Sequence, residues 1–271
     1  MSRNFTEWLR SQTIDRQGRA VRPSDVPPML AVGELRVVFQ PIVDLHGGDV
    51  FAYEALVRST SPHYAGPVAL FEHAVGAACA GALGRVIREL AVERCPHMPL
   101  FLNVHPNELD EGWLVQPDDP VFRHEHPVYL EITESVPLSH FEFCHSTLAE
   151  VRSKGVLLAI DDLGAGYSNL KYIAELSPEI VKLDRGLAHG LHEDRRRQKL
   201  VTQLVRLCEE LGAEVVVEGI ETLEELRAVA DSGARFGQGY VFARPEPEPP
   251  EPDRRAVVLS GSRRPIRHGS S

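Results

Sequence analysis

The sequence predicts an α/β fold, a TIM-like (β/α)8 barrel that carries one antiparallel strand. Three observations predict it: eight apolar β-type runs recur along the chain, helix-like stretches separate most of them, and the first two runs are joined too tightly for a parallel crossover. Strands alternating with helices imply parallel βα units. Eight such units suggest a closed barrel.

The runs lie at about 36–43, 50–57, 100–104, 128–133, 156–161, 179–184, 214–218 and 235–241. DLHGGD joins the first to the second, and Gly47-Gly48 is a turn signal. A parallel crossover needs about a dozen residues or more, so one strand must be antiparallel. Helix-like stretches follow at about 68–95, 139–154, 168–176, 193–211 and 221–232. In the fourth, Leu200, Leu204, Leu207 and Leu211 recur at helical spacing, the stripe by which a helix buries one face.

The ends differ from this body. Residues 1–33 form a leader holding Pro23, Pro27 and Pro28, and Phe5, Trp8 and Leu9 share one helical face. A short helix docking on the domain is expected there, with a partner-binding helix as the alternative. The domain proper is expected over 34–246. From 247 onward a Pro/Glu-rich and then Arg-rich tail is expected to be disordered, or else to be a basic contact peptide.

At 271 residues and 43% hydrophobic content, the chain suits one large domain. A formal net charge of −10 argues against a nucleic-acid polymer or a membrane surface as partner. It leaves room for a small anionic ligand if bound cations invert the local field. Cys79, Cys95, Cys144 and Cys208 form no CxxC pair, which disfavours a zinc knuckle or a disulfide framework and fits a reducing cytoplasm. There is no signal-peptide pattern and no apolar run of membrane-spanning length, so a soluble cytoplasmic protein is expected.

The chemistry is concentrated at strand ends. Val156 to Ile160 run straight into Asp161 and Asp162, and paired carboxylates after a buried strand are costly unless something cationic sits on them. Glu54, Asn103, Glu131, Lys182, Glu218 and Gln238 end other runs. At the shared mouth of a barrel the five carboxylates would repel one another and raise their pKa values unless cations were present. An all-oxygen donor set suits Mg²⁺, Mn²⁺ or Ca²⁺. The acids outnumber the needs of one ion. Two ions about 3.5–4 Å apart are the arrangement that cleaves phosphodiesters in line. Lys182, the one strand-end lysine, is the candidate to orient the attacking water.

Taken singly, Glu54 or Glu131 reads as a cap or an ion-pair partner, and His105 as a packing or hydrogen-bonding residue. Gly164-Ala165-Gly166 lacks the full dinucleotide fingerprint. Two other chemistries stay open on the residues alone. Glu131 and Glu218 could serve a retaining glycosidase, with carboxyl groups about 5–5.5 Å apart. Lys182 could form a Schiff base, although acids around it would keep it protonated. Trp8 and Trp113 lie away from the strand ends, so sugar-stacking aromatics are missing, and both readings leave the Asp pair without a task.

FQPIV at 39–43, YEALVR with Glu54-Ala55-Leu56, NVHP at 103–106, EITE at 131–134, DDLGAGYSNL at 161–170, VKLD at 181–184, VEGIET at 217–222 and GQGYVFARP at 237–245 occur in one order. Over about 34–245 this order resembles the EAL-domain phosphodiesterases, which act on cyclic di-GMP. The resemblance implies a metal-dependent phosphodiesterase producing linear pGpG on a barrel with one reversed strand, and working as a homodimer. It implies two Mg²⁺ or Mn²⁺ ions on Glu54, Asn103, Glu131, Asp161, Asp162 and Glu218, with Asp161 as the bridge. Lys182 would assist the water, Gln238 would steady the water network, and Glu221 would tie down the loop after Asp162. Gln40, Leu56 and Arg58 would contact the dinucleotide. His105 stands where the family often has Ser, and Leu163 where it often has Phe; neither change removes a ligand. A regulatory protein partner reached through the termini is a further expectation. The rival reading is a non-hydrolysing cyclic di-GMP receptor, which in this family typically lacks metal ligands that this chain retains.

Overall fold

The computed structural model describes residues 34–133, 138–165, 170–253 and 255–256. The leader with its expected helix, and the tail beyond 256, lie outside the described residues. The strands are β1 (Leu35–Asp44), β2 (Val50–Ser59), β3 (Leu100–Asn103), β4 (Val128–Thr133), β5 (Leu157–Leu163), β6 (Ile180–Leu183), β7 (Glu214–Val217) and β8 (Phe236–Gln238). They follow one another in order around a closed barrel, which is the expected fold class. β1 pairs antiparallel with β8, Ile42 opposite Gln238. The pairs β3–β4, β5–β6, β6–β7 and β7–β8 are parallel.

The reversed strand follows from the tight link. The Asp44 carboxylate accepts the N–H groups of His46 and Gly47 at 2.7 and 3.0 Å. Gly48 closes the turn at φ 82°, a conformation that costs glycine little.

The helices are α1 (Pro67–Gly76), α2 (Ala80–Arg94), α3 (Pro106–Glu111), α4 (Leu138–Ser153), α5 (Lys171–Leu176), α6 (Arg185–Ala188), α7 (Arg195–Glu210) and α8 (Leu223–Asp231). The stretch read as one helix over 68–95 is two, because Ala78 turns left-handed at φ 52° between them. α3 and α6 fall where no helix was expected. Each starts at a cap: His105 accepts from Asn107 N–H, and Asp184 from Gly186 N–H.

Helix α7 corrects the expected stripe. Its buried residues are Val201, Val205 and Cys208, whereas Leu200 and Leu211 are 50% and 45% exposed. Two apolar stripes share this helix, and the one of Val201, Val205 and Cys208 faces inward.

The described chain forms two compact units interleaved in sequence. Among the described residues the first draws on 34–39, 55–132 and 138–158, and within it Phe101 stacks on Tyr129 at 4.3 Å. The second draws on 40–54, 133, 159–165, 170–253 and 255–256, and within it Phe51 stacks on Phe236 at 4.0 Å.

The start of the tail departs from expectation. Tyr53 on β2 donates its hydroxyl to Pro250 O at 3.0 Å, and Asp253 N–H donates to Phe242 O at 2.7 Å. Ala256 is 1% exposed. Proline removes N–H donors but leaves carbonyl acceptors, so a segment that can join neither helix nor sheet still docks. The hairpin supplies no helix between β1 and β2, and this strap reaches the Tyr53 side of β2.

Candidate active site

In the second unit, one buried cation gathers the strand-end acids. Lys182 on β6 is 0% exposed, which is tolerable for an ammonium only with charged partners. Its Nζ lies 2.6 Å from Glu218 Oε1, 3.1 Å from Asp161 Oδ1 and 3.5 Å from Glu54 Oε2. Gln238 at the end of β8 donates to Glu54 Oε2 at 2.6 Å and to Gln40 Oε1 at 3.3 Å. Gln40 in turn donates to Ala243 O at 3.2 Å. Gln40, Glu54, Asp161, Lys182, Glu218 and Gln238 are thereby brought together.

Asp161 and Asp162 join one cluster because β5 is irregular there. Successive strand residues ordinarily point to opposite faces. Here the pairing of β5 with β6 shifts register between Ile160 and Leu163, and Asp162 sits at φ 60°. A non-glycine residue in that region stores strain of about 1–3 kcal/mol, a cost found at functional sites. The result is that carboxylate oxygens of Asp161, Asp162 and Glu218 all lie within 4.8 Å of one another.

Glu54, Asp161, Asp162 and Glu218 set four carboxylates against one ammonium. Burial first, and then Asp161, pushes the Asp162 carboxyl up to about 6. Burial, with Asp161 and Glu54 adding to it over the opposing pull of Lys182, pushes Glu218 up to about 8. Gln238 Oε1 is buried without a hydrogen-bond partner. An excess of close carboxylates with an unused oxygen beside them fits a hard divalent cation, whose charge would reverse the cost of ionising them.

In the first unit, β3 and β4 pair in register with Asn103 opposite Glu131. Asn103 donates its amide to Glu131 Oε2 at 2.9 Å, and Glu131 is 1% exposed. Leu56 and Arg58 on β2 are half-buried, and Arg58 donates to Val57 O at 2.9 Å. His105 caps α3 and stacks on Phe71 at 5.5 Å, in keeping with a packing and hydrogen-bonding residue.

Glu221 is not among the gathered side chains. It is exposed, and its backbone N–H is held by Glu225 Oε2 at 2.9 Å. Part of the loop it is expected to tie down, 166–169, lies outside the described residues. Two groups escaped the sequence reading. Glu225 accepts from Gly190 and Thr222 as well as Glu221, and its Thr-x-x-Glu capping box was legible at 222–225. Arg88, Glu108 and Asp119 form a buried ion cluster in the first unit that no sequence spacing announced.

The family model described as EAL domain matches residues 24–245. The cyclic di-GMP phosphodiesterase RocR of Pseudomonas aeruginosa is 32% identical over 259 residues, 88% of this chain and 65% of that protein. An uncharacterized protein, y4lL, of Sinorhizobium fredii is 30% identical over 228 residues, 80% of this chain and 28% of that protein. The chain thus spans between about a quarter and two thirds of these relatives. Among solved structures, a manganese and cyclic di-GMP complex of Klebsiella pneumoniae BlrP1 superposes with TM-score 0.71 at 30% identity, over 84% of this chain and 60% of that one. A cyclic di-GMP-bound standalone EAL protein from Vibrio cholerae O395 gives TM-score 0.64 at 25% identity, over 82% of this chain and 97% of that one. With the barrel, its reversed strand and the ordered strand-end motifs already in place, the chain belongs to the EAL-domain family.

Proposed function

We propose that this chain hydrolyses cyclic di-GMP to linear pGpG with the help of two bound Mg²⁺ or Mn²⁺ ions. The observation that carries the reading is Lys182, fully buried against Asp161, Glu54 and Glu218. Support also comes from RocR, named a cyclic di-GMP phosphodiesterase, and from BlrP1, solved with manganese and the dinucleotide.

Glu54, Asn103, Glu131, Asp161, Asp162 and Glu218 would hold the ions. When bound, such ions acidify a water and neutralise charge developing on phosphorus. The chain's own groups do the rest. Lys182, kept protonated by its acids, donates a hydrogen bond to the attacking water and holds it in line. The new P–O bond forms as the bond from phosphorus to one 3′ oxygen breaks, and the proton that the attacking water gives up ends on that oxygen. Gln238 fixes the Glu54 carboxylate, and Gln40 braces Gln238. Leu56 and Arg58 receive the dinucleotide, Arg58 by charge on phosphate or guanine. Glu221 steadies the loop after Asp162.

Among the described residues no helix is long and apolar enough to cross a membrane. We place the activity in the cytoplasm, with the termini as contact points for a regulatory protein. The exposed Leu200 and Leu211 edge of α7 favours a homodimer through that helix.

Incubation of the purified chain with cyclic di-GMP and Mn²⁺, with products separated by chromatography, tests the function. pGpG that is absent in EDTA supports it. Tight binding without product would turn the reading to a receptor.

A further inference from the structure

We propose that Glu108, gripped by Arg88, is a positioning residue for Asn103. The inference rests on the proposed ligand role of Asn103. Glu108 Oε1 accepts the His105 N–H at 2.9 Å, while its Oε2 accepts from the Arg88 guanidinium at 2.6 Å. The other side of Arg88 holds Asp119 through contacts of 3.1, 3.2 and 2.8 Å. Asp119 caps the short 3₁₀ turn Pro120–Arg123 by accepting Val121 N–H at 3.2 Å. All of these groups belong to the first unit.

The seat is built for the carboxylate. Glu108 and Asp119 are 0% exposed, and Arg88 is 1% exposed. Gly84, one turn before Arg88 on α2, leaves the space: a Cβ there would stand 1.7 Å from Glu108 Oε2. Two buried acids on one arginine cost desolvation that a packed apolar cluster would avoid. What the ion cluster supplies instead is direction.

That direction falls on Asn103. The two peptide N–H groups after it are both fixed, Val104 N–H by Glu131 O at 3.1 Å and His105 N–H by Glu108. Its side-chain amide is turned to Glu131 Oε2 at 2.9 Å. Arg88 and Glu108 thus anchor α2 to the turn leaving β3, and the Asn103 oxygen is set by the backbone that turn holds. Groups that orient a metal ligand from behind typically govern affinity by about 10–100-fold.

The test is Mn²⁺ binding by calorimetry, well below the melting temperature, in the full chain, Asn103→Ala, Glu108→Ala and the double variant. Each single change should weaken binding about tenfold, and the double variant should bind no more weakly than Asn103→Ala. Binding by Glu108→Ala within about twofold of the parent, or losses that multiply in the double variant, would overturn the inference. If instead the parent binds no Mn²⁺, or Asn103→Ala binds like the parent, the ligand role of Asn103 fails and the inference goes with it. Should Glu108→Ala melt early, Glu108→Gln replaces it. Glutamine keeps an oxygen at only one of the two positions that Oε1 and Oε2 fill, so its NH₂ would face either Arg88 or the His105 N–H, donor against donor. A loss of at least about threefold is expected, and none would count against the clamp.

Discussion

Lys182 Nζ lies 2.6 Å from Glu218 Oε1, joining the end of β6 to the residue that follows β7. Glu218 N–H is also bonded to Leu183 O at 3.0 Å, so backbone and side chain fix the pair together. A fully buried ammonium held in this way cannot turn aside without stranding its carboxylates. Lys182→Ala should therefore lower turnover by about 10²–10³-fold, the range for losing one preorganised hydrogen-bond donor at the reacting atoms. Steady-state rates at saturating Mn²⁺ check this, and a loss under tenfold would remove Lys182 from the mechanism.

Glu54 meets Lys182 and Gln238 at once. Glu54→Ala should abolish measurable hydrolysis and leave Gln238 with the longer bond to Gln40 Oε1, at 3.3 Å. Gln238→Ala should be milder, about tenfold in rate, because it removes a neutral hydrogen-bond donor to a carboxylate. Equal effects from the two changes would show that Gln238 does more than brace Glu54.

The raised carboxyls set a pH dependence in the metal-free protein. Burial lifts Glu218 to about 8 and Asp162 to about 6, above their unfolded values. A carboxyl raised on folding adds stability that is whole below its unfolded pKa and is lost as pH climbs through the folded one. The metal-free melting temperature should fall between about pH 4.5 and pH 8. Mn²⁺ should reverse the fall and bind more tightly as pH rises, because binding displaces those protons. Thermal melts with and without Mn²⁺ decide this, and a metal-free curve that rises over the window would contradict it.

The docked strap separates stability from turnover. Ending the chain after Pro245 removes the Pro250 acceptor, the Asp253 bond and the buried Ala256. At about 1 kcal/mol for each hydrogen bond plus the lost burial, the melting temperature should drop by about 5–8 °C. Turnover at low temperature should be unchanged. An unmoved melting temperature would show that the strap contributes nothing.

The barrel was legible because each strand is a short apolar run closed by a polar residue, and DLHGGD could only be a hairpin. The acid cluster was legible for the same reason, since Asp161, Lys182 and Glu218 end consecutive runs. Other features hung on facts that pattern does not carry. Leu200, Leu204, Leu207 and Leu211 match helical spacing as well as Val201, Val205 and Cys208 do, and only packing chooses between them. Arg88 looks like a solvated helix charge until Gly84 opens a slot for Glu108. Proline-rich sequence excludes helix and sheet but not docking, so the strap was read as free.

The most direct measurement is hydrolysis of cyclic di-GMP in ¹⁸O-labelled water with Mn²⁺, followed by mass analysis of the product. The pGpG formed should carry one heavy oxygen on its terminal phosphate, and Lys182→Ala should abolish it. No pGpG, or pGpG without label, would contradict attack by a water held at Lys182.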